Sequence, residues 1–232
     1  MPHITAIIAA AGKGTRMKAG INKQFMLLNE KPVLAHTLDL FEKCHYISDV
    51  IVICAPGEEE DCSRLVHQYE YIKVKKIVTG GQERQHSIAR GLVQLSEECD
   101  FVAVHDGARP LLLPEDLISV INGAFGHDGA VLAVPVKDTI KKVSEELIVV
   151  STPDRSKLWA VQTPQVFKKE VIIDAYNQAF REGFIGTDDA VLAERCGCVL
   201  KIVKGSYSNI KITTPEDLEF AEFLLERGNN KK

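Results

Sequence analysis

The sequence predicts an α/β protein built on a twisted, mainly parallel sheet with helices on both faces and a protruding β-arm. Three observations lead there. Several strand-length segments are almost continuously apolar, as strands buried on both faces must be. They alternate with segments whose apolar residues recur at helical spacing, the order that builds a parallel sheet. Residues 138–160 break this rhythm with short extended pieces.

Ile4-Thr5-Ala6-Ile7-Ile8-Ala9-Ala10 reads as the first buried strand, and Leu34, Leu38 and Phe41 after Pro32 as the first helix, with proline in its opening turn. Residues 49–54 form a second strand, followed after Pro56-Gly57 by a polar helix to about Tyr69 and a short third strand at 74–78. Residues 83–98 have a helical pattern, and 100–105 are a further apolar strand with Asp106 at its carboxyl end. Leu117, Val120, Ile121, Ala124 and Phe125 share one helix face. A strand is expected at 130–136. Residues 140–143 and 147–151 then suggest a hairpin, with a third extended piece near Trp159. Helices near 168–180 and 188–195, a strand at 199–203 and a last helix complete the series. That helix starts with Thr214 as cap, Pro215 in the first turn and Asp217 three residues after the cap. The chain is read as a single domain over 1–232, with the arm at 138–160 inside it.

At 232 residues, 45% hydrophobic and 26% charged, the composition is that of a globular protein whose core needs no disulfide or metal support. No run approaches the roughly 18 apolar residues of a membrane span, and Met1-Pro2-His3 supplies no basic segment of a secretory leader. A cytoplasmic protein that does not engage membranes is expected. Six cysteines lack repeated ligand spacing, so reduced thiols are expected and not a zinc site. Residues 1–29 carry Lys13, Arg16, Lys18 and Lys23 and no acid, while the other 203 residues carry 24 bases and 32 acids. This positive island on an acidic body suits a small concentrated anion such as a nucleotide, whereas a protein that coats nucleic acid would be basic over a whole face. A solvated basic loop is the plain alternative.

Ala9-Ala10-Ala11-Gly12-Lys13-Gly14-Thr15-Arg16-Met17 follows the first strand, where open α/β sheets bind ligands. It is neither a P-loop, because Ile7 stands at the first glycine position, nor a dinucleotide fingerprint, because Met17 stands at the third. It remains a loop of small residues that lets backbone approach a ligand, with Lys13, Arg16 and Lys23 supplying charge; a tight turn is the alternative. His105-Asp106-Gly107-Ala108-Arg109-Pro110 places a carboxylate suited to magnesium and a guanidinium suited to phosphate beyond a buried strand, unless the two merely close a turn as an ion pair. Gly80-Gly81-Gln82-Glu83-Arg84-Gln85-His86-Ser87, Thr163-Pro164-Gln165 and Asn209-Ile210-Lys211 are further polar clusters.

Taken in this order over nearly the whole chain, these segments, with Lys23-Gln24-Phe25 and Asp138-Thr139-Ile140-Lys141, resemble the 2-C-methyl-D-erythritol 4-phosphate cytidylyltransferase family, whose Rossmann-like fold is that of the nucleotide-diphosphosugar transferases. The glycine loop with Lys23-Gln24-Phe25 marks nucleotidyltransferases broadly; the motifs at 105–110, 138–141, 163–165 and 209–211 narrow the resemblance to enzymes acting on sugar-alcohol phosphates. The resemblance implies a reaction of CTP with a polyol phosphate, with magnesium as cofactor. Arg16, Lys23 and Lys211 would be catalytic. Ala10, Ala11, Gly12, Gly14, Gly81, Gln82, Ser87 and Gly107 would bind the nucleotide, with Ser87 at the cytosine edge. Arg109, Thr139 and Thr163 would surround the polyol phosphate, joined by Arg155 from a neighbouring subunit through a swapped arm in a homodimer. Asp106 would bind the magnesium. Gln82 stands where family members often carry Asp, so base recognition there would rest more on backbone groups. His105 is expected to be structural. The related ribitol 5-phosphate cytidylyltransferases typically show Gly-Gly in place of Ala10-Ala11 and Ser-Val in place of Gly107-Ala108. A non-catalytic nucleotide-binding module is the alternative from another class.

Overall fold

The computed structural model describes residues 1–12 and 22–229. Its central sheet is formed by β1 (Ile4–Ala10), β4 (Ile47–Cys54), β5 (Val74–Thr79), β6 (Phe101–Asp106), β7 (Gly129–Pro135), β10 (Trp159–Lys168) and β11 (Leu200–Lys204), in the order β11-β7-β10-β6-β1-β4-β5. Two short strands, β2 (Leu27–Leu28) and β3 (Lys31–Pro32), pair with each other, as do β8 (Lys142–Val143) and β9 (Val149–Ser151) in the arm. The helices are α1 (Val33–Lys43), α2 (Glu59–Gln68), α3 (Arg84–Leu92), α4 (Pro114–Ala124), α5 (Lys169–Glu182), α6 (Asp189–Arg195) and α7 (Pro215–Asn229).

Strand alternation divides the core. Ile4, Ala6, Ile8 and Ala10 of β1 face α1, α2 and α4, packing with Leu34, Leu38, Phe41, Leu65, Leu117 and Ile121. Ile7 faces the other side, with Ile88 and Leu92 of α3, Ile172 and Tyr176 of α5, and Leu192 of α6. Because both faces are covered, β1 needs apolar residues at successive positions. Each large aliphatic side chain fully buried here contributes about 1.5–3 kcal/mol. A third cluster of Leu28, Val33, Leu111, Ile212 and Ala221 seats α7 beside the β2–β3 pair. Asp217 caps α7 by accepting from the backbone and hydroxyl of Thr213 and from the Thr214 N–H, so the expected start of this helix holds.

Several expected boundaries move. Helix α3 stops at Leu92, six residues before the expected end, after Gly91 packs within 3.1 Å of Ile7 at its notional Cβ position. The extended piece near Trp159 is the start of a ten-residue strand inserted between β6 and β7 and antiparallel to both. Trp159 and Ala160, at the end of the expected arm, pair with Pro135 and Val134. A register shift between Val161 and Gln165 interrupts the pairing of β10 with β7; Thr163 there reaches the carboxyl end of β6, while the Gln162 side chain bonds Ser206 and Asn209.

Candidate active site

The parallel pairings Ala9 with Asp106 and Ala10 with Cys54 bring the carboxyl ends of β1, β6 and β4 to one edge, where an open α/β sheet leaves room for a ligand. A cavity of about 940 Å³ opens there, lined by Ala11, Gly12, Lys23, Gly80, Gly81, Gln82, Arg84, Ser87, Asp106 and Lys211 among others. Its size is that of a small-molecule or cofactor site. Backbone lies close along one wall. A Cβ on Gly80 would clash with that of Ala11, and one on Gly81 would stand 2.5 Å from that of His86, so the glycine pair is required by space and not merely by a turn. The Ser87 hydroxyl accepts from the Gly81 N–H at 3.0 Å and donates to the Glu83 carbonyl at 3.0 Å, which fixes the loop between β5 and α3. Gly107 donates its N–H to the Ala9 carbonyl, and a Cβ there would meet Ala10 at 3.3 Å.

Another part of the lining is charged. Asp106 is 6% exposed and has three cations around it: Arg84 Nε lies 3.2 Å from Oδ1, while Lys211 Nζ at 2.8 Å and Arg109 Nε at 3.5 Å address Oδ2. Burial alone would raise the Asp106 pKa, but Arg84, Lys211 and Arg109 hold it well below the usual carboxylate range. The ion pair between Asp106 and Arg109 considered from the sequence is thus present, as part of a larger cluster. Lys23, in a short 3₁₀ turn over Lys23–Phe25 and only 8% exposed, donates to the Ile212 carbonyl at 3.0 Å beside Lys211.

Beneath this wall, Thr163 ties β10 to β6. Its hydroxyl accepts from the Asp106 N–H at 3.0 Å and lies 3.0 Å from His105 Nδ1, while His105 Nε2 lies 3.3 Å from the Arg109 carbonyl. The partners assign the tautomer: Nε2 carries the proton and donates to the carbonyl, and Nδ1 accepts from Thr163. Burial lowers the His105 pKa to about 4, so a neutral ring is consistent with the structural role expected for it. Asn209 Nδ2 donates to the Thr163 carbonyl at 2.9 Å, and Arg109 donates to the Asn209 carbonyl at 2.7 Å, joining three of the sequence motifs in one buried network.

Of the expected site residues, Ala11, Gly12, Lys23, Gly81, Gln82, Ser87, Asp106 and Lys211 line the cavity. Ala10, Gly107, Arg109 and Thr163 stand directly behind its lining, through the contacts above. Thr139 and Arg155 are exposed in the arm and do not line it; Arg155 donates to the Lys137 carbonyl at 2.6 Å. Gly14 and Arg16 lie outside the described residues. Sequence reasoning assigns no role to Arg84, although it stands in a polar cluster, and none to Asp189, which pairs with Arg84 Nη2 at 2.8 Å. A carboxylate whose partner is 105 residues away leaves no local signature.

Among the described residues, no group of three or more His, Cys, Asp or Glu side chains comes together to hold a metal. Asp106 offers one carboxylate, already contacted by three cations, with lone-pair capacity remaining on Oδ1. That donor set fits a magnesium delivered with a polyphosphate, which needs only one or two protein carboxylates, and not an all-protein metal cage.

The chain matches the family model described as 2-C-methyl-D-erythritol 4-phosphate cytidylyltransferase over residues 4–227. It is similar to the proteins of that name from Caldanaerobacter subterraneus subsp. tengcongensis, 46% identical over 97% of this chain and 100% of that protein, and Alkaliphilus metalliredigens, 48% identical over 96% and 92%. Among solved structures it resembles 4-diphosphocytidyl-2C-methyl-D-erythritol synthase from Anaerococcus prevotii, with a TM-score of 0.87 at 33% identity, covering 97% of this chain and 96% of that one. The 2-C-methyl-D-erythritol 4-phosphate cytidylyltransferase of Thermus thermophilus superposes with a TM-score of 0.78 at 30% identity over 95% and 98%. With the match running through every motif that builds the cavity wall, this chain belongs to the 2-C-methyl-D-erythritol 4-phosphate cytidylyltransferase family.

Proposed function

We infer that the chain transfers the cytidylyl group of CTP to 2-C-methyl-D-erythritol 4-phosphate, releasing pyrophosphate and 4-diphosphocytidyl-2-C-methyl-D-erythritol, a step of the non-mevalonate route to isoprenoid precursors. Family membership over nearly the full length, joined to a cavity with a cationic wall at the carboxyl ends of β1, β4 and β6, is the observation that carries this reading. A phosphate monoester has a second pKa near ~6 and is largely dianionic at neutral pH, so no general base is needed. One of its oxygens attacks the α-phosphorus in line; the bond from that phosphorus to the bridging oxygen breaks, and pyrophosphate leaves with the electron pair. The obstacle is repulsion between polyanions, and the remedy is positioned positive charge.

In this reading, Lys23 and Arg16 hold the triphosphate and Lys211 holds the attacking phosphate. The Gly80-Gly81 wall with Gln82 and Ser87 takes the base, while Ala10, Ala11, Gly12, Gly14 and Gly107 let backbone reach the nucleotide. Asp106 would hold magnesium, which when bound neutralises phosphate charge. Arg109, Thr163 and Thr139 would flank the polyol phosphate. The arm carries exposed Val143, Leu147, Ile148, Val149 and Val150, which supports covering it in a homodimer and sending Arg155 to the neighbour's site. Among the described residues no helix is long and apolar enough to cross a membrane. All six cysteines are unpaired, which supports the cytoplasm as its location.

The deciding assay is magnesium-dependent pyrophosphate release from CTP, comparing 2-C-methyl-D-erythritol 4-phosphate with ribitol 5-phosphate. Release with the first at a kcat/KM well above the second is expected. Equal or greater efficiency with ribitol 5-phosphate would overturn the substrate assignment, and nucleotide binding without release would favour the non-catalytic module.

A further inference from the structure

Asp189 is a fully buried carboxylate that the reaction as described does not use. It lies in the first turn of α6, and its two oxygens are divided between two partners: Oδ1 accepts from the Tyr176 hydroxyl at 2.5 Å, and Oδ2 from Arg84 Nη2 at 2.8 Å. The other side of the same guanidinium, Nε, lies 3.2 Å from Asp106 Oδ1. A continuous line of charge-assisted contacts therefore runs from α5 and α6 behind the sheet to the ammonium of Lys211 on the cavity wall.

Burying a carboxylate is costly, and a buried ion pair often does no more for stability than apolar packing of equal volume. The geometry shows what the charged arrangement does instead. Arg84 is a planar fork, held at one end by a fully buried carboxylate that Tyr176 also holds, and its other end contacts Oδ1 of Asp106. With Oδ1 engaged, Oδ2 is the oxygen left to face Lys211 at 2.8 Å and Arg109 at 3.5 Å. Without that restraint the Asp106 carboxylate could rotate and offer either oxygen to either cation.

We propose that Arg84 is a positioning residue, anchored by the Tyr176–Asp189 pair, that sets the plane of the Asp106 carboxylate and thereby the place of the Lys211 ammonium. This deepens the proposed reaction and rests on it for its kinetic consequence. The three side chains need not touch substrate to act, because they work through Asp106 and Lys211.

The test uses the full chain with Arg84→Lys, Asp189→Asn and Tyr176→Phe, alone and combined with Lys211→Ala. Arg84→Lys keeps the charge but cannot reach both carboxylates as a fork, so kcat should fall about 10-fold or more, the size of one charged hydrogen bond. In the Lys211→Ala background the same substitution should cost clearly less in residual kcat than it does alone, because the ammonium it positions is gone and only the Asp106 carboxylate remains to be held. A merely structural residue would lower the folded fraction equally in both backgrounds. Additive losses, or an Arg84→Lys enzyme with wild-type kcat, would overturn the proposal. Tyr176→Phe preserves packing and should show the same coupling at smaller size, which keeps the test open if Asp189→Asn folds poorly. A second measurement needs no turnover: acylation of Lys211 by acetic anhydride, followed by mass spectrometry and normalised to exposed Lys201, should rise several-fold in Arg84→Lys and Tyr176→Phe. Unchanged labelling would overturn the positioning role. If wild type transfers no cytidylyl group, the proposed reaction fails, while the labelling result still decides the positioning.

Discussion

Lys23 and Ile212, 189 residues apart in sequence, meet in a buried hydrogen bond of 3.0 Å from the lysine ammonium to the isoleucine carbonyl. It brings the segment following β1 against the segment preceding α7, next to Lys211, whose own ammonium lies 2.8 Å from Asp106. Two lysines from opposite ends of the chain thus share one wall of the cavity. Two ammonium groups on one wall suit a polyanionic ligand.

Lys23→Ala should therefore act mainly on turnover, since its charge matters most as negative charge moves onto the departing pyrophosphate. Loss of a contact to developing charge typically costs about 10²- to 10³-fold in kcat. Steady-state pyrophosphate release, with CTP affinity measured separately, checks this. Near-normal turnover would mean that the transfer step does not depend on Lys23.

Asp106→Asn removes the negative centre of a cluster of three cations. Leaving Arg109 and Lys211 without their counter-charge, and Arg84 with Asp189 alone, should lower the unfolding free energy by about 3 kcal/mol, the low end for breaking a buried pair from one side. The magnesium concentration needed for half-maximal rate should rise as well. Urea unfolding and a magnesium titration read the two effects independently. Loss of stability with an unchanged magnesium titration would confine Asp106 to organising the cations.

How much of this was legible follows from the range of each signal. The strand β1, the glycine pair at Gly80 and Gly81 and the cap of α7 announce themselves locally, through apolar runs, small residues and spacing. Strand β10 does not. Its middle reads Gln162-Thr163-Pro164-Gln165, polar with a proline, and its burial is possible only because distant groups satisfy it. Asn209 donates to the Gln162 side chain at 3.2 Å, and the Gln165 side chain accepts from the Ala190 N–H at 2.9 Å and donates to Asp188 at 2.8 Å. The same reason hid Arg84 and Asp189: each residue type was visible, but the pairing that gives it a task exists only after folding.

His105 supplies a pH-dependent prediction. Burial moves its pKa from the ordinary 6.5 to about 4. Between those values the unfolded chain takes up a proton at this ring and the folded chain does not, so stability falls as pH falls across that window. The full shift corresponds to about 3 kcal/mol. Asp106, held low by its cations, adds a further loss only below its ordinary 3.8. Urea unfolding at intervals from pH 7 to 4 should show the decline, and His105→Asn, which can still accept from Thr163, should be less stable at pH 7 yet flatter across the window. An equal slope in the two proteins would assign the acid sensitivity to other groups.

The arm makes the last prediction. Val143, Leu147, Ile148, Val149 and Val150 are each at least 44% exposed, a concentration of apolar surface too small to form its own core and suited to cover by a second chain. Arg155 sits in this segment and does not line its own chain's cavity, which favours a role in the neighbour's site. Lys211→Ala and Arg155→Ala chains should then each keep only a small residual activity alone but complement after unfolding and refolding together. In a mixed dimer one site lacks both groups and the other has both. Random pairing makes about half of the dimers mixed, so about a quarter of all sites should be active, as a shared two-fold arrangement requires. Recovery near that fraction, scaling with heterodimer measured by mass, supports arm exchange. No recovery despite verified heterodimers would return Arg155 to its own subunit or remove it from the chemistry, since a residue acting within its own chain cannot restore a site that its partner lacks.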